Sequence, residues 1–542
     1  MRIGLGQFNS VVGDIAGNAE KMREIYQQGL EKKVQLLVFP ELALCGYPPE
    51  DLLLKRNFLE DNKKAIQNLA KTCGKIPIIA GFAEAKGRFR YNSAAVLRNG
   101  SITDIYRKTL LPNYGVFDEK RYFRPGNKPL VLQLNDLKFA FTICRDVWVI
   151  NWLTDFYKDT SFDCLINISA SPYYLGKIIV RERVLDRAVR RFNCAAFYCN
   201  LVGGQDELIY DGRSFAVDSS GTVSARAKAY EEDLLVFDVV RDKDKVDVNF
   251  EGSQNPQHLD TIDDLYHALT LGTRDYTRKN GFQKVLLGLS GGIDSSVVAA
   301  IAAAALGKEN VTGITMPTRF NSPDTIGDAE KVARNLGIEF LKIPIEPVLE
   351  GFGESLETVE GWDKAGVAYE NLQARIRGTI LMSLSNQFGS LVLTSGNKSE
   401  TAVGYATLYG DTAGGFAVIK DVPKTMVYKL AEYINKISNK DVIPPSVIKR
   451  PPTAELRENQ KDTDSLPSYD LLDKILKGYV ETDMSPEELI KQGLDADTVY
   501  LVTDMVDRNE YKRRQSPPGI KITTKAFGKD RRLPITNHYK NR

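Results

Sequence analysis

The sequence predicts a two-domain α/β protein, a sandwich of two facing sheets with helices outside it, followed by a doubly wound parallel sheet. Three observations carry that prediction. Up to about residue 240, short apolar segments such as "RIGLGQF", "VQLLVF" and "KFAFTIC" succeed one another with few helix-length stretches between them, the pattern of two sheets sharing one core. Beyond residue 260 the segments alternate: "KVLLGL" and a helix over 294–306, "VTGITMP" and a helix from Asp324, "EFLKIPI", a helix around 366–387, and "SLVLTSG". A parallel sheet with crossover helices requires that alternation. Between the two patterns "RDKDKVDVNFEGSQNPQ", residues 241–257, is charged and then polar, the composition of a connector. The boundaries are therefore 1–242, a linker over 243–260, and 261–542, and a chain of 542 residues supplies each part with its own core.

In the first part, three stretches put reactive side chains at strand ends. "LLVFPELALCGYPPEDLL" carries Glu41, "IYRKTLLPNYGVFDE" carries Lys108, and "FAFTICRDVW" ends on Cys144. A cysteine nucleophile needs a base for its proton and a cation near the developing negative charge. The three histidines, His258, His267 and His538, all lie beyond residue 250. The base has to be something other than imidazole, and Glu41 fits that role, with Lys108 stabilising the tetrahedral oxyanion.

Composition narrows the class. The 72 basic residues nearly cancel the 70 acidic ones, leaving a net charge of +2, which gives no global attraction to nucleic acid or to an anionic membrane. The opening "MRIGLGQFNSVVGD" reads as strand and turn rather than a signal peptide, and no apolar run reaches membrane-spanning length. A cytoplasmic protein is expected. All six cysteines precede residue 200 without CxxC spacing, so neither a disulfide framework nor a zinc site is expected.

In the second part, "LLGLSGGIDSSVVAA", residues 286–300, sets a Ser-Gly-Gly turn between a strand and a helix. Gly291 and Gly292 let the backbone turn tightly and approach an anion, and the amides of Ile293, Asp294, Ser295 and Ser296 face outward at a helix N-terminus. That is a phosphate site, and it is neither GxxxxGK[ST] nor GxGxxG.

The turn resembles the SGGxDS signature of the PP-loop ATP pyrophosphatases, a Rossmann-like fold whose members split ATP between its α and β phosphates. The resemblance implies that Ser290, Gly291, Gly292, Asp294, Ser295 and Ser296 hold the pyrophosphate and that Asp294 meets a magnesium ion. "LTSGNKSETAVGYATLYGDTAGG", 393–415, adds Glu400 as a second oxygen donor to that ion, and "DVPKT" adds Lys424 as a point charge for the leaving group. This half closely resembles the NAD synthetases. The resemblance places Ser395, Lys424, Glu400, Tyr409 and Asp411 by the nucleotide and the nicotinate ring. It also brings Glu370, Asn371, Arg375 and Arg377 of "YENLQARIRGTILM" near a dinucleotide, deamido-NAD. Arg375 and Arg377 cannot share one helix face, so one of them at most meets a given phosphate. The acidic stretch 451–473 is expected to close over the site. The basic tail from Tyr511 has the composition of a solvated end, although "TTKAFGKDRRLP" matches the family's substrate side and makes Lys525 a candidate ligand.

Glu41, Lys108 and Cys144, in that order, resemble the Glu-Lys-Cys set of the nitrilase, or carbon-nitrogen hydrolase, superfamily, which implies an αββα sandwich. A nitrilase-like domain ahead of a PP-loop domain is the architecture of the glutamine-dependent NAD synthetases, and the likeness runs over nearly the whole chain. It implies that Tyr114, Ser171 and Lys177 bind glutamine, and that ATP, deamido-NAD and glutamine or ammonia are the substrates. Magnesium is the implied cofactor and a homo-oligomer, a dimer or larger, the implied assembly. The residue after the nucleophile is usually acidic in that family and is Arg145 here; if that acid helps bind the glutamine ammonium, glutamine affinity is either weakened or supported from elsewhere, for instance by Glu119. A sulfur-transferring, RNA-modifying PP-loop enzyme is disfavoured, because no cysteine follows residue 200.

Overall fold

The computed structural model describes residues 1–243, 245–250, 260–364, 366–458 and 460–539. The chain divides into two units, Met1–Leu259 and Asp260–Arg542.

Two sheets build the first unit. One runs, in spatial order, Lys245–Asn249, Asp233–Asp242, Arg2–Gln7, Leu36–Val38, Ile78–Lys86, Phe89–Arg98 and Ser101–Arg107. The other runs Val223–Arg226, Phe215–Val217, Ala195–Asn200, Cys164–Ser169, Leu137–Ile143 and Val131–Leu134. Ile3, Leu5, Val38 and Ile79 of the first meet Phe139, Phe141, Ile166 and Phe197 of the second in one core. Helices cover the outer faces: Met22, Tyr26, Ile66 and Leu69 pack on Leu37, Phe39 and Ile78, while Leu185 and Ala188 pack on Ala140, Leu165 and Ala196. Central strands are thus buried on both faces, which is why Cys164–Ser169 reads as an apolar run rather than an alternation. The expected αββα arrangement is what forms. The boundary region differs in detail. Lys245–Asn249, read as linker, pairs antiparallel with Asp233–Asp242 as an edge strand, and its Val246 and Val248 reach the core. Residues 244 and 251–259 of the expected linker lie outside the described residues.

The second unit carries a five-stranded parallel sheet in the order Glu339–Lys342, Val311–Thr315, Val285–Gly288, Leu391–Thr394, Phe416–Ala417. From the central Val285–Gly288 strand the chain first crosses to one side and later to the other. The carboxyl end of that strand is therefore the switch point where such sheets bind ligands. Helix Ile293–Leu306, which starts there, is buried along nearly its whole length, as its all-round apolar composition demands. The basic tail is not a loose end. Ile520 and Ile522 are buried, and the amides of Ile522 and Thr523 donate to Asp421 at 2.9 and 2.7 Å. Among the described residues no helix is long and apolar enough to cross a membrane.

Two candidate active sites

Glu41, Lys108 and Cys144 each follow a strand, and the fold brings them together. Lys108, 1% exposed, donates to Glu41 Oε1 at 2.6 Å and to Glu119 Oε1 at 2.7 Å. Asn92 Nδ2 donates to the same Glu41 oxygen at 2.7 Å, and the Ala170 amide donates to Oε2 at 2.8 Å. The carboxylate is thereby fixed. Burial works against the Lys108 charge, but Glu119, Glu41 and Cys144 outweigh it and hold the ammonium well above its ordinary value. Cys144 has φ +44°, a left-handed conformation rare for a residue with a Cβ, at the sharp entry to helical turn Cys144–Trp148. Burial pushes its thiol up to about 12, and the charge of Glu41 adds to that, while Lys108 and Lys177 act in the opposite direction. A thiol whose ionisation is so opposed needs a base beside it to attack.

Among the described residues Glu119, named above as a partner for the glutamine ammonium, keeps its buried Oε2 without a hydrogen-bond partner. It is buried, accepts from Tyr47 Oη at 2.8 Å and shares Lys108 with Glu41, so it belongs to the charge cluster itself. Burial lifts it to about 7, Lys108 opposing and Glu41 reinforcing. Tyr114 is half exposed, and the Arg145 guanidinium lies 5.2 Å from its ring centroid. Lys177 packs its ammonium 4.1 Å from the Trp148 ring centroid and 4.7 Å from that of Tyr174. Ser171 is buried, its Oγ accepting from Arg181 Nε at 3.2 Å and its amide donating to Asn200 at 3.0 Å. Asp146, which the sequence did not single out, is fully buried and accepts from the Thr109, Leu110 and Ile143 amides. Its only signal in the sequence is an acid two residues after the cysteine.

In the second unit, Gly291 has φ +87°, and a Cβ there would meet the Thr325 carbonyl oxygen at 2.1 Å. Gly292 keeps an ordinary φ of −84° as the residue before the helix, so one glycine of the pair makes the bend. The hydroxyls of Ser290 and Ser295 lie 3.1 Å apart, and Ser290 Oγ accepts the Gly292 amide at 3.2 Å. Ser296 departs from the expected role. It is fully buried and donates to the Gly292 carbonyl at 2.8 Å, so its hydroxyl braces the turn instead of facing a ligand.

A cavity of about 320 Å³ opens over this turn, and Ser290, Gly291, Gly292, Asp294, Ser295, Ser395, Glu400, Asp411 and Lys424 line it. Lys424, 2% exposed, bridges two carboxylates: its ammonium pairs with Asp294 Oδ2 and with Glu400 Oε1, the latter at 3.0 Å. Burial opposes its charge, and Asp294 and Glu400 override it, raising the lysine well above its ordinary value. Glu400 is pushed up to about 7 by burial, with Lys424 pulling it down and Asp294 adding to the rise. Asp294 is further held by Asn397 Nδ2 at 2.9 Å. Two carboxylates that reach one cation are the donor set a hard divalent ion takes beside phosphate oxygens. Among the described residues no group of three or more such side chains converges.

Helix Val367–Phe388 turns the two arginines to different faces. Arg377 enters the cavity, donating to Met316 O at 2.9 Å and Asn321 Oδ1 at 3.2 Å. Burial lowers it to about 10, with Glu455 pulling in the other direction. Arg375, the expected dinucleotide ligand, points outward and donates to Leu408 O at 3.2 Å, because two residues along a helix turn a side chain through about 200°. Asn371 accepts from Thr407 Oγ1 at 2.7 Å behind the lining. Lys525 pairs with Asp483 at 2.5 Å rather than facing this cavity, and Tyr409 is exposed with its hydroxyl on Gln515. The acidic stretch covers one wall: Glu455 accepts from Thr325 Oγ1 at 2.7 Å, and the Leu456 carbonyl from Gln373 at 2.9 Å.

Known proteins share both halves. Residues 2–243 match the carbon-nitrogen hydrolase family model and residues 265–516 the NAD synthase model. The chain is 45% identical to the glutamine-dependent NAD(+) synthetase of Thermotoga maritima over 572 residues, covering 100% of this chain and 99% of that relative. It is 45% identical to that of Acinetobacter baylyi, covering 99% of each. The solved structure of the glutamine-dependent NAD+ synthetase from Acinetobacter baumannii in complex with adenosine diphosphate matches with a TM-score of 0.80 at 41% identity, covering 100% of this chain and 99% of that one. With both halves matched by family models and such relatives aligned from end to end, the chain belongs to the glutamine-dependent NAD(+) synthetase family.

Proposed function

We propose that the first unit hydrolyses glutamine at Cys144 and that the second uses the ammonia to amidate the nicotinate carboxylate of deamido-NAD, consuming ATP. The observation that carries this reading is the buried Lys108 ammonium at 2.6 Å from Glu41, which sets a base and an oxyanion cation beside a neutral thiol. Glu41 takes the thiol proton as sulfur attacks the amide carbon. Lys108 stabilises the oxyanion, and the departing ammonia carries the proton away. Water, deprotonated by Glu41, then cleaves the thioester and frees glutamate.

In the second unit the nicotinate carboxylate attacks the α phosphorus of ATP and pyrophosphate leaves. Amides beyond Gly291 and the Lys424 ammonium hold the leaving group, and Arg377 is the buried cation suited to a further phosphate. A magnesium ion held by Asp294 and Glu400 would neutralise phosphate charge there. Ammonia then displaces AMP from the adenylylated carboxylate, and it must arrive unprotonated, which calls for transfer shielded from water. A glutaminase domain over 1–242, a synthetase domain over 261–542, a homo-oligomeric assembly and a cytoplasmic setting complete the proposal.

Cys144→Ala tests it. Synthesis of NAD driven by ammonium should persist while synthesis driven by glutamine disappears; equal loss of both would overturn the assignment.

A further inference from the structure

Beside the Cys144 elbow the first unit holds a second cavity, of about 1020 Å³, lined by Arg88, Arg90, Lys120, Arg121, Arg124 and Arg145 with no carboxylate in its wall. Among the described residues, Arg121 alone of this set forms an ion pair, with Asp51 at 3.6 Å. Like charges crowded into one concavity raise its potential and favour a counter-anion. Phe89, Tyr114 and Tyr122 of the wall are already engaged by arginines. The guanidinium carbons of Arg88 and Arg124 lie 5.0 and 4.0 Å from the Phe89 centroid, that of Arg121 lies 5.6 Å from Tyr122, and that of Arg145 lies 5.2 Å from Tyr114. Those contacts orient the guanidinium groups and occupy faces on which a base would stack. Arg90 Nε donates to the Tyr122 carbonyl at 3.3 Å; the other guanidinium groups offer N–H forks, which match phosphate oxygens in pairs.

We propose that this cavity is a binding site for a compact polyphosphate anion of the di- or triphosphate class. Thr109–Tyr114 and Arg145, which line it, follow Lys108 and Cys144 directly in the chain. An anion that draws Arg145 off the Tyr114 ring therefore alters the mouth of the amide-donor site and changes KM for glutamine more than kcat. That consequence rests on the glutaminase reading; the binding itself does not.

Equilibrium dialysis of the full chain against inorganic tripolyphosphate at low salt tests the binding. An Arg88→Ser/Arg124→Ser variant is expected to lose one bound equivalent, its affinity falling by about 10-fold or more, and Arg88→Lys/Arg124→Lys to fall between. Ammonium-driven synthesis is unchanged in both variants, which shows that they fold. Lys424→Ala removes a different equivalent, the one at the Ser-Gly-Gly turn, so failure of that site registers separately. Equal binding by the wild type and the serine variant overturns the proposal. So does equal occupancy by sulfate at matched ionic strength. Substitutions that change self-association in sedimentation and leave tripolyphosphate binding intact overturn it as well, and mark the cavity as an interface between copies.

Discussion

Asp146 holds the Leu110 amide at 2.7 Å, a bond that ties the turn following Lys108 to the elbow that presents Cys144. The same carboxylate accepts from the Ile143 amide at 3.0 Å and from Tyr106 Oη at 2.8 Å. Burial pushes it up to about 6, and the donors from Leu110, Ile143 and Tyr106 pull it back. Asp146→Asn would turn an NH₂ group toward these donors, and a buried unsatisfied donor costs about 1–3 kcal/mol. Glutamine-driven kcat should drop by about 10-fold or more, and ammonium-driven synthesis should hold. A uniform loss of both activities would show that Asp146 serves folding alone.

Glu119 is expected to make the stability of the first unit depend on pH. Unfolded, a glutamate titrates near 4.5; folded, burial lifts this one to about 7. Between those values the folded chain binds more protons than the unfolded one, so this group's contribution to stability is complete below about 4.5 and is lost as pH rises through 7. Glu119→Gln lacks that term. The difference in thermal midpoint, variant minus wild type, should shift toward the variant from pH 5 to pH 7.5. A difference independent of pH would rule out Glu119 as the titrating group.

The two glycines of the turn should respond unequally. Gly291→Ala forces a Cβ to 2.1 Å from a carbonyl oxygen at φ +87°, whereas a Cβ at Gly292 would meet Ser290 Oγ at 3.3 Å. The first substitution should weaken ATP binding by about 10-fold or more, and the second should cost less than about 1 kcal/mol of stability. Calorimetric titration with ATP separates them, and similar losses would contradict the backbone geometry.

For the arginine pair, Arg377→Leu should raise the KM for ATP by about 10-fold through loss of a buried phosphate partner, while Arg375→Ala should leave it within about 3-fold. Steady-state kinetics with ammonium as nitrogen source provides the comparison, and a larger effect at Arg375 would reverse the assignment of faces.

Much of this was legible in the sequence because it lay in residue type and in position at strand ends. Glu41, Lys108 and Cys144 stand out where no histidine is available, and Ser290 to Ser295 lie between a strand and a helix. What was hidden depended on orientation. Periodicity separates Arg375 from Arg377 without saying which faces inward. Ser295 and Ser296 begin a helix that is apolar on every side, so composition gives no direction for their hydroxyls. Glu119 sits in the single turn Glu119–Tyr122, and only a distant tyrosine, Tyr47, and the reach of Lys108 draw it into the cluster. Likewise the tail's charge suggested solvation, while its Ile522 and Thr523 amides are held by Asp421, some hundred residues away in the chain.

The geometry around Cys144 also bears on chemical durability. A sulfur kept protonated by its surroundings reacts slowly with peroxides and electrophiles, since the thiolate is the form they consume. On the proposed mechanism the proton leaves toward Glu41 as an amide carbonyl docks. A cysteine so placed is expected to be passed by adventitious oxidants and to gain its reactivity with the amide it cleaves.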